Sequence, residues 1–323
     1  MIVLSDCPHR LADLARAEDG AKVCMDELSP GDRALWRVLG EGRRLWRGTA
    51  TDPGPPGFWS SAVVVGEARS SQFDALQEAL ASGVRLAGPT ASIALSGHQF
   101  HGQHSRPWMA RPGNLHLCAA FPAPGIAARE ARLLPALPAV AVVEAVHALT
   151  GGALRPGIKW VNDLLVGGRK IGGVLTATQV QGDDVSSALL GIGLNVATTP
   201  LVPATPFVPS VGCLADEGVQ TSWAEAAVLV LAALGRRLAE MAASGPGALL
   251  DAYRASSVVI DREVCLFADS DSGGASSGTW STPALRGTVR GIDGDLSLLL
   301  EGVETSVSSG RLAFAVDCRD IPT

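Results

Sequence analysis

The residues best suited to chemistry fall in four short segments of this 323-residue chain. The first, Gly157-Ile-Lys-Trp-Val-Asn-Asp163, puts a cation, an aromatic ring, an amide and a carboxylate side by side where a strand meets a hairpin. Alone, Asp163 also suits a structural turn carboxylate. In the second, Gly168-Arg-Lys-Ile-Gly-Gly-Val-Leu175, paired glycines let backbone approach a ligand closely while the Lys170 ammonium is aimed at it. The spacing of a phosphate-cradling P-loop is absent there. The third, Gly191-Ile-Gly-Leu-Asn-Val196, reads as a buried strand in which Asn195 needs a hydrogen-bond partner.

The fourth segment, His98-Gln-Phe-His-Gly-Gln-His104 followed by Ser-Arg-Pro-Trp108 and Pro112-Gly-Asn-Leu115, holds three of the six histidines. Three imidazoles invite a metal reading. However, Gly102 and Pro107 work against a helix that would align them, and no acidic residue lies nearby to complete a ligand set. A mildly basic loop that closes over an anion fits these residues better; an ordinary surface loop is the plainer alternative. Lysine usage adds to this. Of 26 basic residues only Lys22, Lys159 and Lys170 are Lys, and two of those lie in the glycine-punctuated hairpin segments. Arg is a planar fork, whereas Lys is a compact charge on a thin stem that can enter a narrow pocket.

Several elements must position these groups. Ser61 to Val65, Ala91 to Leu95 and Leu115 to Phe121 read as strands, and Ser71 caps a helix whose stripe is Phe73, Leu76, Ala79 and Leu80. A helix over Ala136 to Leu149 ends at Gly151-Gly152. Asp163 to Val166 and Ile171 to Thr178 form a hairpin about Gly167-Gly168-Arg169, Ala188 to Val196 is a further strand, and Trp223 to Ala242 a long helix. This mixed order predicts an α/β (α+β) fold with a mixed sheet flanked by helices. From about Ser256 the texture changes to short apolar runs between Gly, Asp and Ser, the spacing of a small β-barrel. Asp269 to Ser281 is a Ser/Gly-rich insert of loop-tip character. Residues 1–55 read as an N-terminal extension of unknown role, 56–255 as a central α/β domain and 256–323 as the C-terminal barrel.

Composition bounds what such a protein does. Apolar residues make up 47% and charged ones 18%, which suits a packed core and not a disordered chain. The formal charge of −6 and the lack of a basic recognition helix in the first 55 residues speak against nucleic-acid binding and a repressor role. No apolar run reaches the roughly 20 residues that cross a bilayer, and the N-terminus lacks the basic flank and apolar stretch of a signal peptide, so a cytoplasmic location is expected. Six scattered cysteines without a close pair read as small apolar thiols.

Taken in order, the four segments resemble one family, the biotin protein ligases. Its Lys-Trp-Pro-Asn-Asp motif is similar to Lys159-Trp160-Val161-Asn162-Asp163, its Lys-x-Gly-Gly/Ala motif to Lys170-Ile171-Gly172-Gly173, and its Gly-Ile-Gly-Ile-Asn-Val strand to Gly191 to Val196. Upstream, the family's Gly/Arg-rich loop, Trp and Gly-Asn-Leu compare with Gln99 to Arg106, Trp108 and Gly113-Asn114-Leu115. Leu285 to Asp295 and Ser309-Gly-Arg311-Leu312 look like the family's SH3-like barrel.

The resemblance implies a biotin/lipoate ligase-like catalytic domain and a two-step acyl transfer using ATP, biotin and Mg²⁺. Biotinyl-adenylate forms first, and its biotinyl group then passes to a lysine of a carboxylase's biotin-acceptor domain. Lys170 would meet the biotin carboxylate, and Lys159 and Arg106 would add positive potential, with Asp163 positioning them or the metal. Asn162 and Asn195 would hydrogen-bond the nucleotide or ring edges, Trp108 would cover the adenylate, and Ser71 and Gln99 would read the ureido group. Gly102, Asn114, Gly173 and Arg311 complete the implied binding set. A monomer or a homodimer is expected. Two departures stand out: Val161 replaces the family Pro, and His101, Gln103 and His104 stand where most loop arginines would be. Neutral His and Gln hold phosphate without a full charge, so weaker retention of the adenylate, a different acid substrate or a non-catalytic binding role all follow as alternatives. Lipoate-type acyl ligation is the alternative reaction.

Overall fold

Ser61-Ala-Val-Val-Val65 is apolar along nearly its whole length, and a strand of that kind belongs inside a sheet covered on both faces. The structure, a computed structural model describing residues 1–15, 21–122, 125–269 and 282–318, places it there. Residues 1–55 supply β1 (Ile2–Ser5), α1 (Pro8–Ala15), β2 (Ala21–Lys22), α2 (Pro30–Leu39) and β3 (Trp46–Thr49). There follow β4 (Ser61–Val65), α3 (Gln72–Ala81), β5 (Thr90–Ala94), β6 (Leu115–Pro122) and α4 (Ala136–Leu149). Next come β7 (Gly157–Lys159), β8 (Asp163–Val166), β9 (Arg169–Gln181), β10 (Asp184–Leu194), α5 (Trp223–Ser244) and α6 (Gly247–Ser256). These strands make one ten-stranded sheet in the order β2-β3-β1-β4-β5-β6-β10-β9-β8-β7. Pairing is parallel between β1, β4 and β5 and antiparallel elsewhere, so the sheet is mixed, as predicted.

Side chains alternate across β4. Ala62 and Val64 join the larger core with α4 and α5, while Val63 and Val65 face α2 and α3. Helix α4 is apolar nearly all round because α5 and α6 cover it; its Glu144 receives Arg236 and Arg237 of α5. A capping box of Ser222 and Glu225 starts α5. The first 55 residues thus build one end of the sheet: β1 pairs with both β3 and β4. Their strands escaped the sequence reading because they are two to four residues long, too short for an alternation to register. Helix α6, also unanticipated, is a short helix with three buried residues.

The C-terminal part holds β11 (Glu263–Phe267), β12 (Leu285–Ile292), β13 (Leu298–Leu300) and β14 (Arg311–Phe314), a four-stranded antiparallel sheet in the order β13-β12-β11-β14. Most of the Ser/Gly-rich insert, residues 270–281, lies outside the described residues. Trp160 reaches across from the turn between β7 and β8, its indole N–H donating to the Leu296 carbonyl at 2.7 Å, and the Tyr253 hydroxyl donates to the Val161 carbonyl at 2.9 Å. Four cysteines are buried, whereas Cys24 is exposed. Among the described residues no helix is long and apolar enough to cross a membrane.

Candidate active site

Three glycines form the floor of a cavity of about 580 Å³. Gly191 and Gly193 lie on one face of β10, and Gly193 pairs with Gly173 of β9. Each is covered by a side chain of the protein itself. An added Cβ at Gly193 would stand 2.5 Å from Cε2 of Trp108, one at Gly191 would stand 3.1 Å from the Phe73 ring, and one at Gly173 would stand 3.7 Å from Nζ of Lys170. Gly172 faces backbone, with the Gly193 carbonyl 2.8 Å from where its Cβ would be. The sequence reading gave Gly172 and Gly173 to close approach of a ligand. The structure assigns the close approach first to Trp108, Phe73, Lys170 and the neighbouring strand.

Lys170 reaches this floor from the start of β9. The β8–β9 turn is Gly167-Gly168, both at positive φ (56° and 79°), the conformation that a two-residue hairpin favours and glycine accepts without strain. Beyond it the Lys170 stem folds back over Gly173, and its ammonium pairs with Asp163 at 2.6 Å. Burial works against charge on Asp163, but Lys170 and Lys159, with Arg106 beyond, outweigh it and hold the carboxyl below its usual range. An ionised carboxylate thus fixes a charged ammonium at the cavity wall.

Over the floor lies the loop of the fourth segment, organised by a bridge between His101 and Pro107 and by Trp108 N–H donating to the Phe100 carbonyl. Trp108, half-buried, donates its indole N–H to Nδ1 of His116 at 3.3 Å, while Nε2 of His116 faces the Arg111 carbonyl. Burial pushes His116 down to about 4, so the imidazole is neutral and carries its proton on Nε2. Both nitrogens of His101 face oxygens, those of Gly102 and Asp74. The Gly102 carbonyl first, then Asp74 against some burial, raises its pKa. His98 pairs with Glu67 and His104 with Asp269. Among the described residues no group of three His, Cys, Asp or Glu side chains could hold a metal ion, so the metal reading of this loop finds no support.

Of the sequence-predicted residues, Lys170, Arg106, Ser71, Gly102, Trp108, Asn162, Asp163, Gly173, Asn195 and Arg311 line the cavity together. Ser71 caps α3, its Oγ accepting from the Asp74 N–H. The Arg106 Nε donates to the Gln103 carbonyl, and the Arg311 guanidinium stacks on Phe207 at 3.6 Å. Asn162 and Asn195 donate their amides to the Val174 and Gly212 carbonyls, so they hold backbone as well as line the wall.

Three expected residues stand elsewhere. Lys159 is buried behind the hairpin and donates to the Phe207 carbonyl; its side of β7 opens on another cavity. Gln99 is exposed at a positive-φ loop position and does not line the cavity. Asn114 is fully buried, its Oδ1 accepting from the N–H groups of Val196, Ala197 and Thr198, so it builds the loop after β10 instead of meeting a ligand.

Sequence reasoning missed Gln72, His116 and the apolar wall of Phe73, Phe100, Leu175 and Ile192. Gln72 is the most informative, being 4% exposed with neither amide atom hydrogen-bonded. One signal was there to find: Gln72 sits four residues before Leu76 and so interrupts the buried stripe of α3.

With this geometry in view, similarity to known proteins gains meaning. Residues 84–195 match the Biotin/lipoate A/B protein ligase family. The chain is 39% identical over 95 residues to the bifunctional ligase/repressor BirA of Bacillus spizizenii, a match covering 29% of each chain. It therefore spans less than a third of the length of the BirA relatives it matches. A biotin--[acetyl-CoA-carboxylase] ligase of Paracoccus denitrificans is 27% identical over 227 residues, 70% of this chain and 89% of that one. The same fold occurs in the biotin protein ligase of Aquifex aeolicus in complex with biotin and ATP, with a TM-score of 0.60 at 19% identity over 78% of this chain and 97% of that one. It also occurs in a biotin protein ligase-like protein of unknown function from Silicibacter, with a TM-score of 0.55 at 16% identity over 78% and 94%.

Proposed function

We propose, from the match of residues 84–195 to the Biotin/lipoate A/B protein ligase family, that this chain is an ATP-dependent biotin protein ligase. The observation that carries the reading is the Lys170–Asp163 pair at the wall of a cavity whose remaining lining is largely apolar. A short acid with an apolar body and one polar ring suits such a cavity. Ser71 and the unpartnered amide of Gln72 favour biotin over lipoate, because a cyclic urea offers N–H and C=O groups and a dithiolane offers neither.

In the first step a carboxylate oxygen of biotin attacks the α-phosphorus of ATP; the new P–O bond forms as the bond to pyrophosphate breaks. Lys170 receives the carboxylate, and together with Arg106 and Arg311 offsets the repulsion between acid and polyphosphate. Trp108 covers the mixed anhydride and excludes water. In the second step the amine of an acceptor-domain lysine attacks the acyl carbon, AMP leaves, and the amine gives up a proton. Among the described residues Asp163 is the one carboxylate in the lining, and it is committed to Lys170. These residues do not form a cage for Mg²⁺, which would arrive on the nucleotide's own phosphates. Catalysis falls to residues 56–255, with residues 256–323 contributing Arg311.

The test mixes protein, biotin and MgATP and looks for biotinyl-adenylate by mass spectrometry, with Lys170→Ala in parallel. Synthesis by the wild type and its loss in the variant are expected. Silence from the wild type would leave a non-catalytic binding protein, and undiminished synthesis by the variant would move the site elsewhere.

A further inference from the structure

Behind the catalytic hairpin lies a second cavity, of about 730 Å³, which shares Lys170 with the first. Its other charged lining residues are Arg155, Lys159, Arg262 and Asp317. Lys170 is neutralised by Asp163, but Arg155, Lys159 and Arg262 have no ion-pair partner among the described residues. Three cations without an ion-pair partner among the described residues therefore share this lining with one carboxylate, that of Asp317.

Lys159 is the centre of this arrangement. It is 4% exposed, and of the three N–H donors of its ammonium the described hydrogen bonds use one, to the Phe207 carbonyl. Burial lowers its pKa to about 8 even though Asp163 pulls the other way. A second cation is held close by, since Lys159 Nζ and Arg262 Cζ lie 5.6 Å and 5.1 Å from the centroid of the same Phe314 ring. Two cations gathered on one ring, one of them desolvated with donors to spare, form a costly arrangement until an anion enters.

We propose that this second cavity is a binding site for a small phosphate-bearing anion, received by Lys159 from within and by Arg155 and Arg262 from the rim. Phosphate suits the donors, because a guanidinium fork bonds two of its oxygens while an ammonium meets a third as a point charge. Pyrophosphate released at the other face of Lys170 and free orthophosphate share this chemistry.

Calorimetric titration of the whole chain with sodium pyrophosphate and, separately, orthophosphate tests the inference at physiological salt. With neither biotin nor ATP present, the outcome does not depend on ligase activity. One saturable site is expected, weakened about tenfold or more in Arg155→Ala/Arg262→Ala, whose exposed rim residues can be lost with the fold intact by circular dichroism. Arg106→Ala, in the first cavity, leaves the affinity unchanged. Tighter binding of pyrophosphate assigns the site to the leaving group; equal or tighter binding of orthophosphate assigns it to the free anion. The inference is overturned by absence of saturable binding, by unchanged affinity in the double variant, or by loss of binding in Arg106→Ala.

Discussion

Gly193→Ala tests the floor of the first cavity with a single methyl group. The added carbon would stand 2.5 Å from Cε2 and 3.0 Å from Nε1 of Trp108, against ordinary carbon contacts of about 3.5–4.0 Å. The indole must therefore move by about 1 Å. It is half-buried, and its free side is the cavity, so movement breaks its hydrogen bond to His116 and narrows the space for ligand. Strain from an overfilled site costs about 1–3 kcal/mol, and the lost hydrogen bond about 1 kcal/mol more. The variant is expected to lose about 2 kcal/mol of stability if the ring stays, or to lose biotin affinity more than tenfold if the ring swings inward. Differential scanning calorimetry and biotin titration followed by tryptophan fluorescence measure the two together. Adding Trp108→Ala in the same chain removes the clash and recovers the stability lost to Gly193→Ala, a coupling that a double-mutant cycle reads directly. Unchanged melting temperature with unchanged affinity would refute the argument that Gly193 exists to seat Trp108.

Replacing Gln72 by Met removes a buried amide with two unpartnered atoms, so the ligand-free protein should gain about 1–3 kcal/mol. The biotin KM should rise more than tenfold with kcat little changed, and an unaltered KM would show that the amide serves no ligand. Asn114→Ala strands three backbone N–H groups and should cost about 3 kcal/mol or more in chemical denaturation; a loss below about 1 kcal/mol would mean the loop finds other partners. The pKa of His101 is raised, so its charged tie to Asp74 is complete below the unperturbed value and lost as pH climbs through the raised one. Calorimetry should accordingly show biotin and adenylate affinity falling between pH 6 and pH 8, and His101→Gln should flatten that slope.

Elements set by long apolar patterns were legible in the amino-acid order. Helix α4 and strand β8 fall on the residues predicted for them, and Ser71 caps α3 as expected. Ten of the expected site residues line the cavity; among them Lys170, Asp163 and Trp108 sit in short motifs whose local turns fix them. What stayed hidden depends on contacts distant in sequence. Trp108 resting on Gly193, Gln72 left unpartnered in the first turn of α3, and Lys159 turned to the far side of β7 are products of strand register and helix packing. Gln99 shows the converse, since its residue type suited a ligand while its loop turns it to solvent.

The loop's histidines give these placements a common consequence. His101 and His104 stand where the family resemblance implies arginines, yet the fold aims each of the three at a carboxylate on a different element: His98 at Glu67, His101 at Asp74 and His104 at Asp269. A proton gained by His101 is balanced by Asp74 within the protein, so it adds little positive potential to the cavity. Arg106, Lys170 and Arg311 remain as the cationic lining, with Asp163 already facing Lys170. Protonation therefore acts through position. It tightens the loop against α3 and keeps Trp108 over Gly193, a route distinct from direct contact between a cation and phosphate. Salt separates the two routes, because direct phosphate contacts in an open cavity weaken with ionic strength and a short His101–Asp74 tie is screened less. The pH dependence of affinity should thus persist when ionic strength is raised.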